Sequence, residues 1–143
     1  MQTDYIMRLT AQIAAMLAAI MAKRNDGKIT EARQDLEKLS LQTVGLPLAT
    51  VVQMSREALR DHLTMSGLNR YHRSVMLAEM LIQEADMSAL GSSMPYALIG
   101  YSHAYGRLYD SLEHLSSDDQ AACRIKMASL TARFGDLILD DMS

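Results

Sequence analysis

Residues 4–23, DYIMRLTAQIAAMLAAIMAK, carry the pattern on which the fold class turns. Ile6, Leu9, Ile13, Met16 and Ile20 recur at alternating three- and four-residue steps, which lines them up along one face of an α-helix. Ala11, Ala15, Ala18 and Ala22 form a second stripe, and Leu17 and Met21 add apolar surface elsewhere on the circumference. A helix that is apolar around most of its surface is normally buried on several sides. The segment is therefore expected to be the central helix of the domain or part of an interface between two copies. Thr3 or Asp4 suits its N-cap, and Lys23 and Arg24 suit its negative end.

Further helical periods follow. Asn25-Asp26-Gly27 is a turn signal. A second helix is expected over residues 30–43, with Ile29 leading into a core face of Ala32, Leu36, Leu39 and Thr43 and with Arg33 and Glu37 as a wet-side ion pair. The short link makes the two an antiparallel hairpin. After Gly45-Leu46-Pro47, residues 48–54 are apolar and β-branched, which fits either a helical turn or an extended pass across the core. Ser55 caps a short third helix ending at about residues 62–64, with Met54 and Leu59 at the two positions of a hydrophobic staple, and Ser66-Gly67 breaks it. A fourth helix is expected from Asn69 to about residue 87, on a stripe of Tyr71, Val75, Ala78, Leu81, Ile82 and Ala85 widened by Met76 and Met80. Gly91-Ser92-Ser93 reads as a loop and Pro95 as the first residue of a fifth helix carrying Leu98, Tyr101, Tyr105, Leu108 and Leu112. Ser117-Asp118-Asp119-Gln120 reads as the capping box of a sixth, burying Cys123, Met127, Leu130, Phe134, Leu137 and Ile138. No segment alternates polar and apolar residues, so no sheet is expected. The reading is one all-α domain over residues 1–143, with five or six helices packed as successive antiparallel hairpins.

Composition agrees. The chain has 143 residues, 49% hydrophobic and 22% charged, with no Trp and a single Phe, Phe134. Such a length buries a core without disulfides or metal. The lone Cys123 has no intrachain partner and fits a reducing compartment, as a small buried hydrophobe rather than a nucleophile. The apolar run over residues 13–22 is about half of the roughly 20 residues a bilayer requires. Arg8 precedes that run, but Asp4 is acidic and Lys23-Arg24-Asn25-Asp26 follows without a small-x-small cleavage site. The expectation is a cytoplasmic protein, not in a membrane, that keeps this helix. Net charge is −3, split as +3 over residues 1–75 and −6 over residues 76–143. That balance lacks the basic footprint of a nucleic-acid binder and reads as uneven solvated faces.

No catalytic motif is present. His62, His72, His103 and His114 stand at no metal-binding spacing and join no Cys cluster. Asp110 and His114 are four apart and read as a surface pair on a helix. No Gly-x-Ser-x-Gly or glycine-rich phosphate loop occurs, and Gly100 and Gly106 read as close helix packing. No catalytic residue, metal or cofactor is assigned, and the chain is read as not an enzyme. A helix-turn-helix over residues 59–81 would use Arg60, Arg70, His72 and Arg73, but aligning Gly67 with the turn glycine puts Arg73 at a position that belongs to a buried apolar residue. The twelve methionines read chiefly as core filler in a chain poor in Phe and Trp, and secondly as an adaptable binding surface. Tyr101, Tyr105 and Tyr109 follow one another at four-residue steps, with Tyr96 nearby. They read as a recognition ridge or as a core-edge seam with wet hydroxyls. The interaction candidates are Tyr101, Tyr105, Tyr109, Met76 and Met80.

Two stretches resemble tetratricopeptide-type hairpins: Gly27-Lys28-Ile29-Thr30-Glu31-Ala32 followed by Leu36 and Leu39, and Tyr101, Ala104, Leu108 and Tyr109. The whole chain is also similar to a family of small helical bacterial proteins known only as a domain of unknown function. The similarity is carried by Asp4-Tyr5-Ile6-Met7-Arg8, Gly27–Ala32, Gly45-Leu46, Ser55 with Leu59 and Leu63, Ala78-Glu79-Met80-Leu81, and Tyr101–Tyr109. The resemblance implies a bacterial source and a tetratricopeptide-like bundle, and assigns no activity or site. By that analogy the expected function is a non-enzymatic interaction or self-associating scaffold module, as a homodimer. The alternatives are a small-molecule-binding regulator with an apolar pocket walled by Tyr101, Tyr105, Met76 and Met80, or a DNA-binding regulator using Arg60, Arg70 and Arg73.

Overall fold

A computed structural model describes residues 2–65, 70–91 and 94–135, with side chains from residue 11 onward. The order is α1 (Gln2–Asn25), α2 (Ile29–Val44), α3 (Leu48–Val51), α4 (Arg56–Thr64), α5 (Arg70–Leu90), α6 (Met94–Ser111), a 3-10 turn (Leu112–His114) and α7 (Ser117–Phe134). No strand occurs among the described residues. The Ser66-Gly67 break, the Asn69 cap, Ser92, Ser93, Leu137 and Ile138 lie outside them, as do the side chains of Thr3, Asp4, Ile6 and Leu9.

Local chemistry sets the joints. Gly27 turns the chain between α1 and α2 at φ 83°, and Gly45 ends α2 at φ 77° with its N–H donated to the Leu41 carbonyl. Both values lie in the left-handed region that costs other residues energy. Residues 48–51 resolve the open choice as one helical turn after Pro47. The Ser55 hydroxyl accepts the Ala58 N–H at 3.0 Å and starts α4. Ser55→Ala should cost about 1 kcal/mol in a thermal melt, the usual worth of such a cap. The cap of α7 lies one residue upstream of the expected box. Ser116, in extended backbone, accepts from the Asp119 N–H, while Gln120 reaches the Leu115 carbonyl.

The centre of the bundle is α5, which touches α1, α2, α3, α4 and α6. Met76, Leu77, Ala78, Met80, Leu81, Ala85 and Met87 are all buried along it. Its acids are matched across helices instead of facing water. Glu79 pairs with Lys126 of α7, Glu84 with Arg33 of α2, and Asp86 with Arg24 of α1 and Arg133 of α7. Against its other side lies α6, where a Cβ on Gly100 would stand 3.2 Å from that of Ala85. Close packing thus accounts for Gly100. Gly106 has looser surroundings, where a Cβ would stand 3.7 Å from the Arg56 side chain.

Of the two expectations for the first helix, the central seat is corrected. Only Ile13 and Ile20 are buried in the described part of α1, with Leu17 half-buried. Arg33 and Glu37 do not pair as expected either. Arg33 crosses to Glu84 and Ser88, while the Glu37 carboxylate accepts the Leu48 N–H at the start of α3. In both cases a partner on another helix, partly shielded from water, outcompetes a solvated neighbour one turn away.

Candidate functional site

The outer surface of α1 is anomalous for a peripheral helix. No charged residue occurs from Leu9 to Ala22. Ala11, Ala14, Ala15, Ala18, Ala19 and Ala22 are exposed, and Met16 and Met21 keep 47% and 38% of their surface in water. A peripheral helix ordinarily turns charged and polar residues outward. On the α1–α2 side, two shallow clefts of about 210 and 280 Å³ flank Met16, both lined by Leu39 and Gln42. The helix end is fixed, since Lys23 pairs with Asp35, and Arg24 donates to Gln83 at 2.9 Å and to Asp86 at 3.3 Å.

Most of the sequence-picked interaction residues lie inside. Met76, Met80 and Tyr101 are buried in the core. Tyr101 stacks on Phe134 and donates its hydroxyl to Asp86, with Arg133 also within reach of that hydroxyl. Burial and the Asp86 hydrogen bond push this phenol up to about 12. Tyr105 is half-buried, and only Tyr109 stands out, 57% exposed under the Arg56 guanidinium. The three tyrosines therefore form no continuous outward ridge. Four-residue steps drift around a helix by some 40° each, which carries Tyr101 into the core and Tyr109 out of it. A pocket walled by Tyr101, Tyr105, Met76 and Met80 is replaced by packed core for the same reason.

The helix-turn-helix arginines also disperse. Arg73 donates to the Thr43 carbonyl of α2 at 2.9 Å, whereas Arg60 and Arg70 border a different cleft. That cleft, of about 380 Å³, lies between α4, α5 and the C-terminal end of α6. At its floor Arg107 is 2% exposed and Ser111 is 1% exposed. Asp110 accepts from Arg56 Nη2 at 2.6 Å, Arg107 Nη2 at 2.9 Å and Arg60 Nη2 at 3.5 Å. Burial lowers the Arg107 guanidinium from its ordinary value; Asp110 opposes this while Arg56 and Arg60 add to it. Burial alone would raise the Asp110 carboxyl, but the Arg56 hydrogen bond and the three guanidinium charges outweigh it and hold it below its ordinary range. His114 stacks on Tyr71 at 3.9 Å and pairs with Glu113, so the expected Asp110–His114 pair does not form.

Sequence reasoning passed over Arg107. A signal was present: Gly100, Ala104, Arg107 and Ser111 follow 4-3-4 spacing, which puts a guanidinium in a stripe of small buried residues. A charged residue there needs a buried acid, and Asp110 is the only one on α6.

Cys123 is buried and donates weakly to the Leu108 carbonyl, and burial pushes its thiol up, away from the reactive thiolate. Among the described residues no three His, Cys, Asp or Glu side chains gather as a metal set, and no helix is long and apolar enough to cross a membrane. No family model, curated protein or solved structure matches this chain.

Proposed function

We propose that this protein is a non-catalytic helical association module, and that the outer face of α1 packs against the same face of a second copy. The observation that carries the reading is the charge-free, exposed face from Ala11 to Ala22. Leaving it wet forfeits about 25 cal/mol for each Å² of apolar surface that a partner would cover. The occupant is a second copy because the stripe is self-complementary. Ala11, Ala15, Ala18 and Ala22 keep the 4-3-4 spacing of a coiled-coil seam. Alanine lets two helix backbones approach closely, and a two-fold axis sets equal stripes face to face. A cytoplasmic setting suits this reading, since the single cysteine stays reduced there.

Sedimentation equilibrium across a concentration series is the test. The native chain should shift from monomer to dimer with rising concentration. Ala15→Glu combined with Ala18→Glu places four carboxylates in the seam and should weaken the dimer at least about 100-fold. Both positions are exposed and Glu is a good helix former, so the melting temperature should hold. A native chain that stays monomeric at every concentration removes the proposal. A dimer untouched by the double substitution moves the interface elsewhere.

A further inference from the structure

We infer that the cleft between α4, α5 and α6 is a binding site for a small phosphate monoester, held by Arg60, Arg70, Arg107 and Ser111. The site is separate from the α1 face and does not depend on it.

The first argument is charge. Arg56, Arg60 and Arg107 converge on the single carboxylate of Asp110. Arg70 adds a fourth guanidinium, whose hydrogen bond goes to the Tyr71 hydroxyl and whose Cζ lies 4.6 Å from the Tyr71 ring centroid. Glu113, at the rim, is mostly solvated and engaged with His114. Asp110 and Glu113 together leave two of the four positive charges unbalanced. A phosphate monoester carries about −1.5 to −2 near neutral pH, which matches that excess.

The second argument is the buried donors without partners. Arg107 Nε and Ser111 Oγ are enclosed and make no hydrogen bond. Both residues line the cleft. The Arg107 carbonyl, the ordinary target for a serine four residues on, has the Ser74 hydroxyl at 3.5 Å instead. Leaving such groups unmatched costs stability, and each one in a native fold calls for an explanation, an ion held there among them.

The third argument is direction and room. Arg60 comes from α4, Arg70 from the start of α5, and Arg107 with Ser111 from α6. Donors arriving from three helices suit a tetrahedral oxyanion, whereas a planar carboxylate meets donors in one plane. The volume of about 380 Å³ exceeds a bare phosphate. The surplus lies against Leu63 and the stacked Tyr71 and His114 rings, which gives a small apolar or ring-bearing organic group its wall.

Isothermal titration of the 143-residue chain with phenyl phosphate and with inorganic phosphate, at low ionic strength, tests this. Phenyl phosphate should bind saturably at one site per chain, and inorganic phosphate more weakly. Ser111→Ala and Arg60→Ala should each reduce phenyl phosphate affinity about tenfold, the worth of one charge-assisted hydrogen bond. Arg60 is more than half exposed and Asp110 keeps Arg56 and Arg107 without it, so that variant should fold. Ser111→Ala removes an unmatched hydroxyl, so its melting temperature should stay level or rise, which separates ligand contact from a structural role. Arg124→Ala, on the exposed side of α7, should bind as the native chain does. No saturable heat with either phosphate overturns the inference. So does native-like affinity in both Ser111→Ala and Arg60→Ala.

Discussion

Asp110→Ala should remove about 3–5 kcal/mol of stability, the cost of leaving a buried charge without its partner. Net stabilities of such domains run to only about 5–15 kcal/mol, so the variant should be partly unfolded at modest urea. The loss falls on Arg107, which is enclosed and relies on Asp110 Oδ2 at 2.9 Å. Its other hydrogen bond, to the Arg56 carbonyl, is long at 3.4 Å. Urea unfolding followed by helical circular dichroism measures the change. A loss below about 1 kcal/mol would mean that water reaches Arg107 and that the ion pairs behave as surface pairs. The pH dependence has a definite sign. The folded Asp110 carboxyl is lowered from 3.8, so its contribution is complete above the unfolded value and disappears as pH falls through the lower folded one. The gap between native chain and variant should hold steady above about pH 5 and close progressively in acid below 3.8.

Leu81→Ala should cost about 3–5 kcal/mol, the upper part of the range for emptying a leucine site in a core. Leu81 is fully enclosed on α5. The cost is at the high end because the neighbouring helix cannot move in to refill the space. Near Gly100, α6 already meets Ala85 at contact distance, and the Leu81 carbonyl is 3.6 Å from where a Cβ would stand. Met16→Ala removes a side chain of equal heavy-atom count that is 47% exposed on α1, and should cost far less. The pair of variants, unfolded in urea side by side, separates the helix that holds the bundle together from the helix that decorates it. A Leu81→Ala cost under about 1.5 kcal/mol would mean that the core closes over the hole.

Helix positions were legible because apolar spacing and capping are local. Ala32, Leu36, Leu39 and Thr43 are buried as their period requires, and Ser55 caps where it stands. Which helix is central was not legible, for a physical reason. The first helix looks most buried because it lacks charge, yet α5, with Arg73, Glu79, Glu84 and Asp86, fills the centre. Charge marks a wet face only when its partner is water; on α5 the partners are Arg24, Arg33, Lys126 and Arg133, far away in sequence. The phosphate-type cleft was hidden in the same way. Arg60, Arg70, Arg107 and Ser111 share no local spacing, and only the meeting of three helices joins them.

The central seat of α5 makes the helices synthesised before it wait for the surface they pack on. α1 is made before α5, and the surface that receives Ile13 and Ile20 includes a helix completed only at Leu90. At roughly 5–20 residues per second, α1 and α2 spend several seconds as an unseated hairpin tethered to the nascent chain. For that interval greasy residues on every side of α1 are bare, including the two isoleucines that later become core. Early-binding chaperones have their natural target there, and on a crowded polysome the first helices of neighbouring chains meet while each still lacks the scaffold it will fold against.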